Sequence, residues 1–275
     1  VRSTRKALAL LALALALGQA SLGQHTGRHD SFAPGEVLTY KAYYNLSFLW
    51  VDAGRVTFAV REVDEQGAKL LNLVASGTSV PKYDWVYKVR DYFSSLARPS
   101  DLAPVRFVRQ TSEGDYAVNN SYRFDQQRKL IYSSIQRGEE PRFEDTLSFR
   151  GQVFDLLTAP YWSRGLDFGA MDVGQRVNFQ LLVDNEIHTM QIRFLGKEQV
   201  ELPEDERGRS FRCLKFAATM VAGSIFKEGA EVLVWVTDDA NHIPVLVEAE
   251  ILVGTVKAVL LEAYNLAHPL DALVR

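Results

Sequence analysis

The chain is poor in cysteine: Cys213 is the only one among 275 residues. A single thiol excludes an internal disulfide framework and a cysteine-based zinc module. Proline and glycine, at 9 and 18 residues, fall far short of collagen-like or low-complexity usage. Surplus positive charge is absent too. Lys and Arg number 31 against 34 Asp and Glu, a formal charge of −3. Setting aside Arg2, Arg5 and Lys6, which read as part of a removable leader, leaves 28 against 34, or −6. That balance argues against a nucleic-acid partner or an anionic membrane surface. Beyond the first 23 residues no apolar run approaches the roughly eighteen residues of a membrane-spanning helix, so no transmembrane segment is expected in the mature chain.

What is present begins with Val1 to about Gly23, which has the layout of a secretory signal peptide. Arg2, Arg5 and Lys6 precede the unbroken Ala/Leu run Ala7–Leu17. Gly18-Gln19-Ala20 and Ser21-Leu22-Gly23 then offer small residues for cleavage. The run is too short to cross a hydrocarbon layer of about 30 Å, and no cysteine follows it to carry a lipid. The expectation is a periplasmic or otherwise exported protein. Residues 24–31 form a polar, aperiodic arm, and residues 267–275 a short tail.

Between them, over 32–266, the dominant period is two. Tyr116, Val118, Tyr122 and Phe124 alternate with Asn119, Ser121 and Arg123, and Val177, Phe179, Leu181 and Val183 alternate with Asn178 and Gln180. Such alternation predicts strands with one face on a core and one on water. Further strands are predicted at Val37–Tyr44, Arg55–Val63, Lys69–Ser76, Trp85–Ala97, Val105–Thr111, Lys129–Gln136, 188–194, Phe211–Val221, Glu231–Thr237, Pro244–Leu252 and Thr255–Tyr264. Short links rich in turn residues, such as Glu65-Gln66-Gly67, require antiparallel neighbours. Val232–Val236 and Val256–Leu261 are apolar on both faces, so a second layer must cover them. The fold expected is a mainly β, antiparallel barrel-like or highly curved sheet with one central buried helix. That helix is placed at Gly151–Arg164, apolar nearly all round, dividing strand groups 37–136 and 175–264, with Pro160 expected to end or kink it.

Several segments of the second half form a recurrent pattern. Phe211-Arg212-Cys213-Leu214-Lys215-Phe216 is followed by Leu233-Val234-Trp235-Val236-Thr237-Asp238-Asp239, then Ile243-Pro244-Val245 and Val253-Gly254-Thr255-Val256. Upstream lie Pro34-Gly35-Glu36-Val37-Leu38-Thr39-Tyr40, Gly54 and Asp155-Leu156-Leu157 with Tyr161. The Trp-Val-Thr-Asp-Asp … Ile-Pro block is the most specific of these. Together they resemble the exported bacterial family of domains of unknown function numbered 3108 (DUF3108), over roughly Phe32–Leu266. The resemblance implies export and antiparallel β architecture, and it implies no activity.

Catalytic constellations are weak. His25, His29, His188, His242 and His268 show no metal-ligand spacing, and no metal or cofactor is expected. His188, on an apolar strand face, reads as a core histidine. Cys213, between Phe211 and Leu214, reads as a small buried hydrophobe. Asp84, Asp91, Asp155, Asp238 and Asp239 could converge for polysaccharide hydrolysis, but Asp238–Asn241 reads better as a tight turn. No catalytic residue is assigned, and a non-enzymatic role is favoured.

Aromatics crowd residues 40–93, and Leu46–Val51 reads as an apolar loop where a polar one is usual. Most of these rings are expected to fill the core. A ligand site is expected from Phe48, Trp50, Tyr83, Trp85, Tyr87 and Arg90, because pockets are concave and aromatic-lined. The leading function is binding or carriage of an apolar or amphipathic envelope molecule, with a lipid, a glycan or an envelope protein as partner. The alternative is a protein-interaction module that pairs through exposed strand edges.

Overall fold

The computed structural model describes residues 30–46, 49–85, 88–219, 230–251 and 254–274. The leader at 1–23 and most of the arm at 24–31 lie outside the described residues, as do Phe48 and Tyr87.

Fifteen strands form one sheet. They are β1 Val37–Leu46, β2 Leu49–Glu65, β3 Ala68–Ser79, β4 Val89–Ala97, β5 Pro104–Glu113, β6 Tyr116–Asp125, β7 Leu130–Arg137 and β8 Phe143–Ser148. After these come β9 Val153–Phe154, the helix α1 Thr158–Ser163, β10 Arg176–Val183, β11 Glu186–Glu201, β12 Ser210–Thr219, β13 Glu231–Thr237, β14 Pro244–Glu250 and β15 Thr255–Tyr264. The order is β8-β7-β6-β5-β4-β3-β2-β1-β15-β14-β13-β12-β11-β10-β9, antiparallel at every step except β9–β10. The two strand groups therefore join where β1 pairs with β15. The sheet is open, with β8 and β9 as its edges.

Two glycines mark close approaches. A Cβ on Gly54 would stand 2.3 Å from the carbonyl oxygen of Thr78, and one on Gly254 2.4 Å from that of Asn45. Only glycine lets the backbones meet there.

The helix is shorter than its apolar pattern suggests. Val153–Phe154 is a strand, and α1 has six residues. The reason lies in Asp155, whose Oδ1 accepts the N–H groups of Leu157 at 2.8 Å and Thr158 at 2.9 Å, holding a turn after which the helix begins only at Thr158. Pro160 consequently falls in the first turn, where its missing N–H has no partner to lose, and it neither ends nor kinks α1. Burial is as expected: Leu157, Ala159, Tyr161 and Trp162 all lie in the core.

Three further expectations change. Leu46–Val51 is mostly strand, because β1 and β2 keep pairing as far as Leu46↔Leu49. The strand expected from Trp85 begins only at Val89, after a 3-10 turn at Pro81–Tyr83. His188 is half-buried beside Glu186, 3.6 Å away, rather than in the core. β8, with its polar Phe143-Glu144-Asp145-Thr146 start, gave no apolar alternation from which to foresee it.

A buried ion pair ties the two strand groups to α1. Arg164, just after α1, donates to both oxygens of Glu36 at 2.6 and 2.8 Å. It also donates to the carbonyls of Ser31 at 2.8 Å and Asn241 at 2.9 Å. Every bond connects segments distant in sequence.

Candidate functional site

The antiparallel register brings the ends of β1, β3, β5, β7, β10, β12 and β14 to one rim. Of the six residues expected to bind ligand, the four described ones all lie near this rim. Trp50 is on β2 beyond its last pairing with β3, which ends at Gly54↔Ser79. It is half-buried against the core, and the Lys257 ammonium stands 3.6 Å from its ring centroid. Tyr83 closes the 3-10 turn and is half-buried, with Lys82 4.8 Å from its ring. Trp85 is 85% exposed.

Arg90 is engaged by its own neighbourhood. Its Nη2 donates to Asp84 Oδ2 at 2.6 Å, and its Nη1 donates to Ser79 Oγ at 3.1 Å and the Val89 carbonyl at 2.6 Å. Ser79 Oγ donates in turn to Asp84 Oδ1 at 2.5 Å and accepts the Val89 N–H at 3.0 Å. The Arg90 hydrogen bonds, helped by Ser79, hold the Asp84 carboxyl below the usual carboxylate range. Val80 N–H bonds Ala53 O at 3.2 Å, and Gly114 N–H bonds Lys88 O at 2.8 Å. Trp85 thus follows directly on a segment held to β2 and β4 by these bonds.

Beside it, on the face of β3–β6 turned away from α1, lies an open trough of ≈490 Å³. Two cross-strand rows wall it: Thr78↔Arg90↔Ser112↔Ala117, and Tyr92↔Gln110↔Asn119. Between them the backbone of Gly77, Asp91 and Thr111 makes the floor. Thr78, Tyr92, Gln110, Ser112 and Asn119 are exposed. Sequence reading picked out Arg90 but missed Gln110, Ser112 and Asn119. They are ordinary polar alternation until the register aligns them.

Toward the rim, the opposite face of the same strands buries polar groups among the core side chains. Asp91 is 5% exposed, and among the described residues no side chain hydrogen-bonds its carboxylate. Burial, with the nearby Glu113, pushes its carboxyl up to about 8 against the opposing pull of Arg109. The β10–β11 turn closes over this region from the other strand group. Arg109 Nη1 donates to Asp184 Oδ1 at 2.9 Å, and Asn185 Nδ2 donates to Asp145 Oδ2 at 2.9 Å.

The remaining carboxylates named from the sequence have structural roles. Asp155, its pKa raised to about 6 by burial, holds the turn before α1 and accepts the Ser95 hydroxyl at 2.5 Å. Asp238 pairs with Lys197 at 3.0 Å. Asp239 Oδ1 accepts Thr237 Oγ1 at 2.8 Å and the Asn241 N–H at 3.0 Å, and the Asp238–Asn241 turn forms as expected. Cys213 is buried, its thiol pushed up to about 12 by burial, which fits a small hydrophobe. Among the described residues no group of three or more His, Cys, Asp or Glu could hold a metal ion.

Beside α1, two cavities measure only ≈20 and ≈30 Å³. Tyr40 and Phe93 are fully buried, and Tyr43 nearly so. Among the described residues no helix is long and apolar enough to cross a membrane, which says nothing about crossing by strands.

Such an open antiparallel sheet wrapped on a short helix defines a β-barrel-like protein. The profile of the DUF3108 family, a protein of unknown function, matches residues 39–261, and the chain belongs to that family. A solved β-barrel-like protein of the domain of unknown function DUF1849 from Brucella abortus shares the fold. It matches with a TM-score of 0.51 at 12% identity, over 84% of this chain and 98% of that one. A protein named as a lipoprotein by inference, from Parabacteroides distasonis, matches at a TM-score of 0.32 and 12% identity. That match spans 84% of this chain and 95% of the other, and at such a score it carries no argument. No curated protein matches the sequence.

Proposed function

We propose that this is an exported cell-envelope protein that binds, rather than transforms, an amphipathic envelope molecule. The binding surface is the rim and outer face formed by β3–β6 and the β3–β4 link. Export rests on the basic start and Ala/Leu run of residues 1–23. The observation that carries the binding reading is Trp85, 85% exposed and directly following a segment pinned through Ser79, Asp84 and Arg90. A large ring held in water by a rigid frame loses little conformational entropy on meeting a ligand. Among the described residues the two cavities beside α1 hold only ≈20 and ≈30 Å³, against about 300–1,000 Å³ for small-molecule pockets, which supports binding at the surface.

Native mass spectrometry of the protein released from its own cell envelope tests this. The expected result is a bound small molecule that is lost from the Trp85→Ala, Tyr92→Ala double variant. A ligand retained by that variant, or a chain that never carries one, would remove the surface from consideration.

A second reading has its own observation. β8 is an edge strand with an unpaired side, and Phe143 at its start is 55% exposed. An extended segment of an envelope protein could add to that edge by main-chain hydrogen bonds.

A further inference from the structure

We infer that the trough on the outer face of β3–β6 takes the neutral saccharide part of such an amphipathic molecule, an inference that rests on that face being the binding surface. Arg90 is the only charged side chain in the rows that wall the trough, and Asp84 neutralises it through a 2.6 Å ion pair. Asp91 contributes backbone to the floor, while its buried carboxyl lies on the opposite side of the sheet. Arg55, next in the row beyond Thr78, is likewise paired, with Asp52 at 2.8 Å, so the charges along the trough are matched and none is offered to an anionic headgroup or to the charged groups of a peptide. Electrostatic complementarity selects a ligand without charge.

Hydrogen-bonding capacity narrows the class further. Thr78, Ser112 and Tyr92 supply hydroxyls, and Gln110 and Asn119 supply amides. Hydroxyls and amides both donate and accept. A partner that uses such a set fully is one whose own groups do both, and a polyhydroxylated ring does so at every position. A hydrocarbon tail would instead strip water from these groups and return no hydrogen bond, at a cost for each.

Shape and apolar contact point the same way. Pyranose rings present a C–H face as well as a hydroxyl perimeter, and that face is matched by exposed aromatic rings. Tyr92, 41% exposed, stands in the wall, and Trp85, 85% exposed, stands at the rim end next to the Arg90–Asp84 pair. The trough volume of ≈490 Å³ falls within the range of small-ligand clefts, about 300–1,000 Å³. Its openness along the strands suits a chain of sugars more than one enclosed ring.

The test titrates the full chain with neutral oligosaccharides (maltohexaose, cellohexaose and chitohexaose), and in parallel with vesicles of phosphatidylethanolamine and phosphatidylglycerol. Tryptophan fluorescence and calorimetry report binding. The expected result is millimolar or tighter binding of at least one hexasaccharide, weakened by about tenfold, near 1.4 kcal/mol, in Gln110→Ala and in Tyr92→Ala. Melting midpoints of both variants should stay at the parental value, since both side chains are exposed. Vesicle binding that those variants abolish, with no saccharide bound, would overturn the saccharide class and leave the surface standing. Saccharide binding unchanged in both variants, or no binding of any probe, would overturn the trough as the site, and the surface with it.

Discussion

The two strand groups of this sheet are treated differently by their surroundings. Among the described residues β12–β15 are buried over most of both faces, whereas β1 is buried on one face and half-buried on the other. Beyond β11 the chain turns at Leu202–Arg209 and returns over them: Tyr43 OH donates to the Glu204 carbonyl at 3.2 Å, and Arg209 Nη2 to the Leu260 carbonyl at 2.7 Å. Lys215 covers Trp235, 4.7 Å from its ring, and the C-terminal segment adds the Phe211↔Leu273 bridge. By contrast β3–β6 leave Thr78, Tyr92, Gln110, Ser112, Asn119 and Ser121 in water. The covered strands act as scaffold in this comparison, and the outer face of β3–β6 is the surface that the proposed binding would use.

The junction of the two groups should give the largest effect. Glu36→Ala leaves the Arg164 guanidinium buried without its carboxylate, and breaking such a pair costs about 3–5 kcal/mol. Urea unfolding should show that loss. A variant as stable as the parent would mean that the groups do not depend on this tie.

Asp91 offers the next largest effect, and one with a pH signature. Its carboxyl moves from 3.8 to about 8 on folding, through burial first and then Glu113, with Arg109 opposing. The folded state therefore holds a proton that the unfolded chain has released between those values. Stability contributed here is full below pH 3.8 and is lost as pH rises toward about 8. Asp91→Asn should remove that slope. The variant should gain stability over the parent steadily as pH rises through that window, and almost nothing in acid. Parallel stability curves for the two proteins would break the idea that this face of β4 is a strained polar interior.

Why these features were hidden in the sequence follows from what periodicity records. Alternation reports which residues share a face, and it located nearly every strand, including the doubly apolar Val232–Val236 that announced a second layer. It cannot report which strand lies beside which. Asp91 and Glu113 are 22 positions apart, and only the β4–β5 register makes them neighbours on one face. The trough depends likewise on Gln110↔Asn119 pairing. Trp85 was legible as an aromatic but not as an exposed one, because a strand was expected to begin there and the 3-10 turn at Pro81–Tyr83 moves that start to Val89. The helix was legible as buried, while its length was set by one side chain, Asp155.

Trp50 stands on the border of the comparison, on β2 with its ring packed partly on the core and Lys257 above it. Full burial of a tryptophan would make truncation cost about 3–5 kcal/mol. Half-burial with a cation–π contact points to a smaller loss, about 1–2 kcal/mol. Thermal unfolding of Trp50→Ala checks this. A loss at the full core value would move Trp50 to the scaffold side.

Trp85→Ala should have the smallest effect on stability and the clearest meaning. At 85% exposure the ring contributes almost no buried area, so truncation should leave stability within about 0.5 kcal/mol of the parent. The bonds that pin the segment before it use the side chains of Ser79, Asp84 and Arg90, none of which the substitution touches. Stability and binding are therefore separable at this position, whereas at Trp50 they are mixed. The pair of variants makes a direct test: Trp85→Ala should quench the fluorescence response to ligand with an unmoved melting midpoint. If the midpoint falls as far as it does for Trp50→Ala, the ring is packing against the fold, and the distinction between an exposed binding face and a covered scaffold fails at its most exposed residue.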